Sequence, residues 1–269
     1  MKKNQIATAP IIDAHNENSK GLVLKELIGK STVGSHRGLL ALATFSVNGS
    51  QNLYRLANAN HVAYLLSGEA DYLTETGPVA LGPGDTVYAP KGDWHGFRNK
   101  GSQEAVFIFM YSPVSDYGAL SYEAYQGILP QASAQIPSIR RARLSEMQGD
   151  AALNEDAGFI GLGVYWLAVA ETVGTTDFLL GASTFEPGGL HEHHRHPNGD
   201  EFLFILEGGG AHLTPHGSVP LGAGEIAFIP ANEYHGYQNR EGVLTKTLFG
   251  YFGPANLEQA GYEVREPAE

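Results

Sequence analysis

Between Gly188 and Gly208 the chain reads GGLHEHHRHPNGDEFLFILEG, four histidines and several carboxylates followed at once by an apolar run. Imidazoles with a carboxylate beside them are the donor set of a divalent transition metal. His194 and His196 are two residues apart, a spacing that puts both rings on one face of a strand. Glu201 opens EFLFILEG, where Glu201, Leu203 and Ile205 alternate onto one face. Two strands joined through Pro197-Asn198-Gly199-Asp200 can therefore aim three ligands at one point, with a fourth to come from elsewhere in the sheet. A histidine-rich run can also be a solvated loop. His191 and His193 share the two-residue spacing and suit exposed positions or positions that orient a ligand from behind.

A second stretch, GAGEIAFIPANEYHGYQN, runs from Gly222 to Asn239. Written as spacing, the first stretch is Gly188-x5-His194-x-His196-x4-Glu201-x6-Gly208. The second is Gly224-x5-Pro230-x-Asn232-x2-His235-x3-Asn239. Together they resemble the two motifs of the cupin superfamily. The departure is Asn232, where that family has glycine; asparagine also tolerates a positive φ, so the turn is retained. The resemblance implies that His194, His196, Glu201 and His235 hold one metal ion. A solvated-loop reading of the first stretch leaves His235, at its own motif spacing, unexplained.

The positioning elements are short. Thirty-four glycines and fourteen prolines in 269 residues point to many turns and brief strands, with 42% hydrophobic residues enough for a packed core. Gly84, Pro90, His95 and Asn99 each lie 140 residues before Gly224, Pro230, His235 and Asn239, and the same offset relates Gly68 to Gly208, Phe45 to Phe185 and Tyr111 to Tyr251. One unit has been duplicated. We expect an all-β protein of two domains, residues 1–130 and 131–269; the resemblance makes them tandem cupin barrels, that is, double-stranded β-helix or jelly-roll barrels. The segment from Ser112 to Gly149 reads as an extended connection with a short helical piece. The residues before Gly21 are free to add a strand to the other domain or to a subunit.

At the same offset His194 becomes Tyr54, His196 becomes Leu56 and Glu201 becomes His61, while His235 keeps its type as His95. Leucine cannot ligate a metal and a neutral phenol does so poorly. The first repeat therefore keeps the fold signals with a degenerate site, and His61 and His95 are read as a structural polar pair, with Tyr54 and Trp94 beside them.

The net charge of −12 excludes a nucleic-acid or anionic-membrane surface. The cluster Arg140, Arg141, Arg143 reads as a solvated linker face. There are no cysteines, which excludes disulfides, iron–sulfur clusters and thiol chemistry. No apolar core follows the N-terminal lysines and no stretch approaches twenty apolar residues, so a cytoplasmic protein without a membrane span is expected, with homodimer formation open.

Three neutral imidazoles and one carboxylate leave open positions on an octahedral ion, which suits Mn, Fe, Ni or Co better than zinc. The chain resembles the quercetin 2,3-dioxygenase-like group of bicupins. That resemblance implies a dioxygenase acting on a small enolisable or aromatic substrate; the carboxylate of Glu201 can also serve as the catalytic base, and strand alternation offers Leu203, Ile205, Phe228 and Tyr237 as candidate cavity walls. Alternatives are a redox-neutral cupin metalloenzyme (isomerase, decarboxylase or aminohydrolase) and a non-catalytic cupin that binds a small molecule.

Overall fold

The computed structural model describes residues 1–12, 18–127 and 139–265. Contacts divide the chain into two compact units, one spanning Ala9–Ser145 and the other combining Met1–Thr8 with the residues from Glu146 onward. A boundary at 130 falls outside the described residues. Both units are β-structures, and no helix among the described residues is long and apolar enough to cross a membrane.

In the first unit the sheet order is Arg140–Arg143, Asp85–Ala89, Asn60–Ser67, Ala105–Ser112, Leu39–Leu56, His95–Asn99, Ala70–Thr74 and Gly77–Leu81. In the second it is Lys2–Gln5, Glu225–Ile229, Asp200–Glu207, Thr245–Phe252, Phe178–Arg195, His235–Gln238, Gly209–Thr214 and Gly217–Gly222. The two orders match strand for strand, and every pairing is antiparallel. This is the curled jelly-roll arrangement that the repeat implied.

The first strand of each sheet comes from outside its own repeat, and for the residues before Gly21 this is the added strand that the sequence allowed. Arg140–Arg143 adds to the first unit with Arg140 opposite Tyr88, and Lys2–Gln5 adds to the second with Lys2 opposite Phe228, the same register 140 residues apart. The arginine cluster is therefore a sheet strand and not only a solvated face. Arg143 Nε lies 2.6 Å from Asp85, whose side chain is fully buried, and Lys3 Nζ lies 2.7 Å from Glu225 at the corresponding edge. The connecting segment also carries single turns at Tyr117–Ala119 and Leu144–Glu146 and a short strand at Tyr122–Ala124.

Each unit has one long strand of 18 residues. Phe178–Arg195 pairs with Thr245–Phe252 along its first half and with His235–Gln238 along its second, so it turns from one layer into the other. Gly188, with φ +83°, sits at that turn, and the equivalent position in the first unit is Asn48 at φ 60°. The turn is clamped by a motif residue. Asn239 Nδ2 donates to the carbonyls of Phe185, Glu186 and Val243 at 2.8–3.1 Å, and Asn99 does the same to Phe45, Ser46 and Gln103. A short amide whose two N–H groups are shared among three carbonyls explains why asparagine stands there in both repeats.

The two interiors differ. That of the first unit is filled by aromatic side chains, with Phe45, Phe97, Phe107 and Phe109 in mutual ring contact at 4.9–6.3 Å. In the second unit Phe107 is replaced by Thr247 and Ala43 by Ser183, two buried hydroxyls that hydrogen-bond at 2.6 Å. Exchanging one phenyl ring for a threonine removes the volume that closes the first barrel. The second barrel keeps a cavity of about 580 Å³ between its atoms, part of it open to solvent.

Candidate metal centre

The long strand Phe178–Arg195 carries His194 opposite His235, which opens the strand His235–Gln238. His196 follows one residue beyond the strand end, and Asn232 N–H holds its carbonyl at 2.9 Å. Asn232 has φ 68°, matching Gly92 at φ 89° in the first repeat, so asparagine does take the left-handed turn in place of glycine. Glu201 comes from Asp200–Glu207, which pairs not with the histidine strand but with Thr245–Phe252 between them. The turn Pro197–Asp200 is thus an arch between non-adjacent strands, and it still delivers Glu201 to the histidines.

The ligand atoms of His194, His196, Glu201 and His235 all lie within 4.8 Å of one another, and the four residues are only 0–7% exposed. Each histidine is oriented from behind. Nδ1–H of His194 donates to Glu192 O at 2.8 Å, that of His196 to Gly261 O at 2.5 Å and that of His235 to Glu233 O at 3.0 Å. With Nδ1 carrying the proton, each Nε2 presents a lone pair to the common centre, the tautomer that a metal needs. Nε2 of His194 is buried without a hydrogen-bond partner among the described residues, and Nε2 of His235 and Oε2 of Glu201 lie 2.7 Å apart with, once Nδ1 of His235 bonds to Glu233 O, no proton between them. Buried polar atoms are seldom left so, and three of them facing one point fit a cation. Burial lowers the His194 and His196 imidazoles below their usual value, so both rings are neutral ligands. For Glu201 burial acts upward, but His235, 2.7 Å away, and then His196 and His191 outweigh it; the net direction is downward and the group is a carboxylate.

The surrounding side chains support the ligands. Tyr251, opposite Glu201 on the neighbouring strand, donates from Oη to His196 Nε2 at 3.1 Å. Burial holds its phenol far above the ordinary range. Of the two extra histidines, His191 is inside: it stacks on His194 at 4.1 Å, lies 3.2 Å from Tyr262 Oη and lines the cavity. His193, on the alternate face, is half-buried, and its carbonyl accepts from Arg265 N–H at 2.8 Å. Of the expected walls, Leu203 and Tyr237 line the cavity and Ile205 belongs to the interior packing. Phe228 does not. Opposite Glu201 stands Ile229, so Phe228 shares the outer face of the sheet with Phe202. The residues that sequence reading missed are Trp166, Tyr251, Phe249 and Tyr262, which come from strands and a terminal segment without motif spacing.

In the first unit the equivalent positions bond to one another, with Nε2 of His61 left without a partner among the described residues. His95 Nδ1–H donates to Asp93 O at 2.9 Å, and His61 Nδ1–H is shared between His95 Nε2 at 3.0 Å and Tyr54 Oη at 3.2 Å. His61 also stacks on Tyr111 at 4.3 Å. The pair is a packed polar group in an aromatic core. Trp94 is not part of it; it carries the Arg55 guanidinium on its ring and meets Tyr125 edge-on.

Two curled sheets of equal order, each with the same paired motifs and one with a complete set of three histidines and one glutamate, define a bicupin. The chain belongs to the cupin family, whose domain matches residues 42–111 and 181–249, together just over half of the chain. Tetracenomycin polyketide synthase protein TcmJ from Streptomyces glaucescens is 28% identical over 101 residues, covering 38% of this chain and 68% of the relative. Among solved structures the chain is similar to oxalate decarboxylase from Bacillus subtilis, with a TM-score of 0.72, 16% identity, and coverage of 94% of this chain and 77% of that one. Another structure of that enzyme, described for its Mn(II) centers, matches with a TM-score of 0.71, 16% identity, and coverage of 95% and 78%. These structural likenesses concern the fold.

Proposed function

We propose that the second unit is a metal-dependent dioxygenase whose substrate is a flat, neutral, enolisable molecule of aromatic or polyketone type. The observation that carries this reading is the composition of the cavity wall. Phe159, Trp166, Phe249 and Tyr262 with several aliphatic residues share the cavity wall with the ligands His196, His235 and Glu201, and no lysine or arginine lines the cavity among the described residues. A small dianion would leave its second charge without a partner in such a wall. A phenol or enol brings one oxygen to the polar end and rests its apolar remainder on the rings. The likeness to TcmJ, a polyketide synthase protein by name, supports the same substrate class.

A divalent ion bound by His194, His196, Glu201 and His235 would supply Lewis acidity and open positions where an enol oxygen and dioxygen are held together. Manganese(II) is the first candidate, from the likeness to a Mn(II) protein, with iron, cobalt and nickel next. The protein's own part is proton handling and exclusion of water. Glu201 is ionised and within the ligand cluster, in place to take the hydroxyl proton of the substrate. Tyr251 keeps its proton; once His196 Nε2 is taken up by a cation, its hydroxyl is released to donate to a substrate oxygen.

The test is oxygen uptake with a flavonol, using protein as purified, chelator-treated protein, and protein reloaded with Mn, Fe, Co or Ni. Uptake that needs both metal and flavonol supports the proposal. A redox-neutral reaction at the same centre is the second reading, favoured by the fold likeness to oxalate decarboxylase; product formed without oxygen would select it.

A further inference from the structure

We propose that His212 is a substrate-recognition residue whose ring hydrogen-bonds a second oxygen of the substrate, on the same conjugated unit as the oxygen held at the metal. The inference deepens the functional reading above and rests on it.

His212 lies on the strand Gly209–Thr214, outside both motifs, and is 1% exposed. Its ring faces the cavity, and neither nitrogen has a hydrogen-bond partner among the described residues. A fully buried imidazole with two unpaired nitrogens is unfavourable unless something completes it. The metal does not, because the four converging ligand atoms come from other residues. Packing does not require it either. The same position in the first repeat is Tyr72, whose ring stacks towards His95 with centroids 6.3 Å apart in a filled core. In the second repeat a smaller ring stands parallel to His235, with planes 3° apart and 5.8 Å between centroids, and it brings two unpaired nitrogens to the cavity wall. In its neutral form the imidazole ring carries one N–H donor and one acceptor. Such a ring can serve a hydroxyl or a carbonyl. Its closeness to His235 places the second oxygen in a 1,2 or 1,3 relation to the first, not at the far end of a long molecule.

The test is calorimetric titration of phenol, catechol and resorcinol into wild type, His212→Phe and His212→Gln, with the metal content of each protein measured. We expect wild type to bind at least one of the dihydroxybenzenes about tenfold more tightly than phenol. His212→Phe should keep its metal and its affinity for phenol and lose that preference, and His212→Gln should regain part of it. A preference that persists in His212→Phe, as chelation by the metal alone would give, overturns the inference. So does loss of metal from that variant, or a wild type that binds none of the three or does not distinguish them. A wild type that holds no metal sinks the functional reading instead, since the preference is read by heat and not by turnover.

Discussion

The ring of Tyr262 stacks on the His194 imidazole, with centroids 4.7 Å apart and planes 21° from parallel. Its counterpart in the first repeat, Tyr122, stacks on Tyr54 at 5.0 Å and 19°. The stack is thus a feature of the duplicated unit that the second unit uses to hold a ligand. The segment carrying Tyr262 also supplies Gly261 O to His196 Nδ1, and its strand Glu263–Val264 pairs with His194 and Arg195. Groups that fix ligand orientation typically change metal affinity by about 10–100-fold when removed. Tyr262→Ala should weaken metal binding by about tenfold, whereas Tyr262→Phe, which keeps the ring, should stay near wild type. Competition against a chelator reads both; equal behaviour of the two variants would remove the stack from the account.

Ser183 lines the cavity, and it hydrogen-bonds Thr247, which stands where the first repeat has the ring of Phe107. The double variant Ser183→Ala/Thr247→Phe copies the first repeat and should fill the barrel. Metal content should be unchanged, since neither residue is a ligand, while affinity for a flavonol drops by about tenfold or more. Unaltered flavonol binding would place the substrate elsewhere.

Glu201 is assigned both to the metal and to the substrate proton, and the two jobs can be separated. Glu201→Gln keeps an oxygen donor but cannot accept the proton. Turnover should fall by about 100-fold or more, with flavonol affinity and metal content affected much less. Parallel losses in all three would leave Glu201 a ligand only.

The polar pair of the first unit makes stability depend on pH. Burial lowers His95 to about 4 and His61 well below its ordinary value, so both are neutral in the folded chain. The unfolded chain takes up protons as pH falls below about 6.5 while the folded chain does not, so stability is complete above that pH and is lost towards pH 4. For His95 alone the shift amounts to about 3 kcal/mol. Melting temperatures at pH 7.5, 6 and 5 should therefore fall, and His95→Gln should flatten the decline. An unchanged slope in that variant would mean that His95 is not among the titrating groups.

What could be read from the sequence follows from what repeats. Offsets of 140 residues survive because the strand order and the Asn239 and Asn99 clamps are backbone requirements, and the ligands could be named because His194, His196, Glu201 and His235 sit at fixed positions relative to those clamps. Asn232 is interpretable for the same reason, as one residue that must enter the left-handed region. Long-range relations are not legible. The residues before Gly21 read as free to add a strand to the other domain, but no local pattern names Glu225–Ile229, more than two hundred residues away, as the partner of Lys2–Gln5. Phe228 falls on the face opposite to the expected one because strand phase depends on the partner across the sheet, here Ile229 opposite Glu201. Tyr251, Tyr262 and His212 carry no motif, and only the closed barrel brings them to the site.

The central claim is that four side chains of the second unit, and none of the first, hold one divalent ion. Elemental analysis of the purified protein beside His196→Ala and His95→Ala tests it most directly. The account predicts one equivalent of a transition metal per chain in wild type and in His95→Ala, and almost none in His196→Ala. Metal retained by His196→Ala, or lost from His95→Ala, would contradict it.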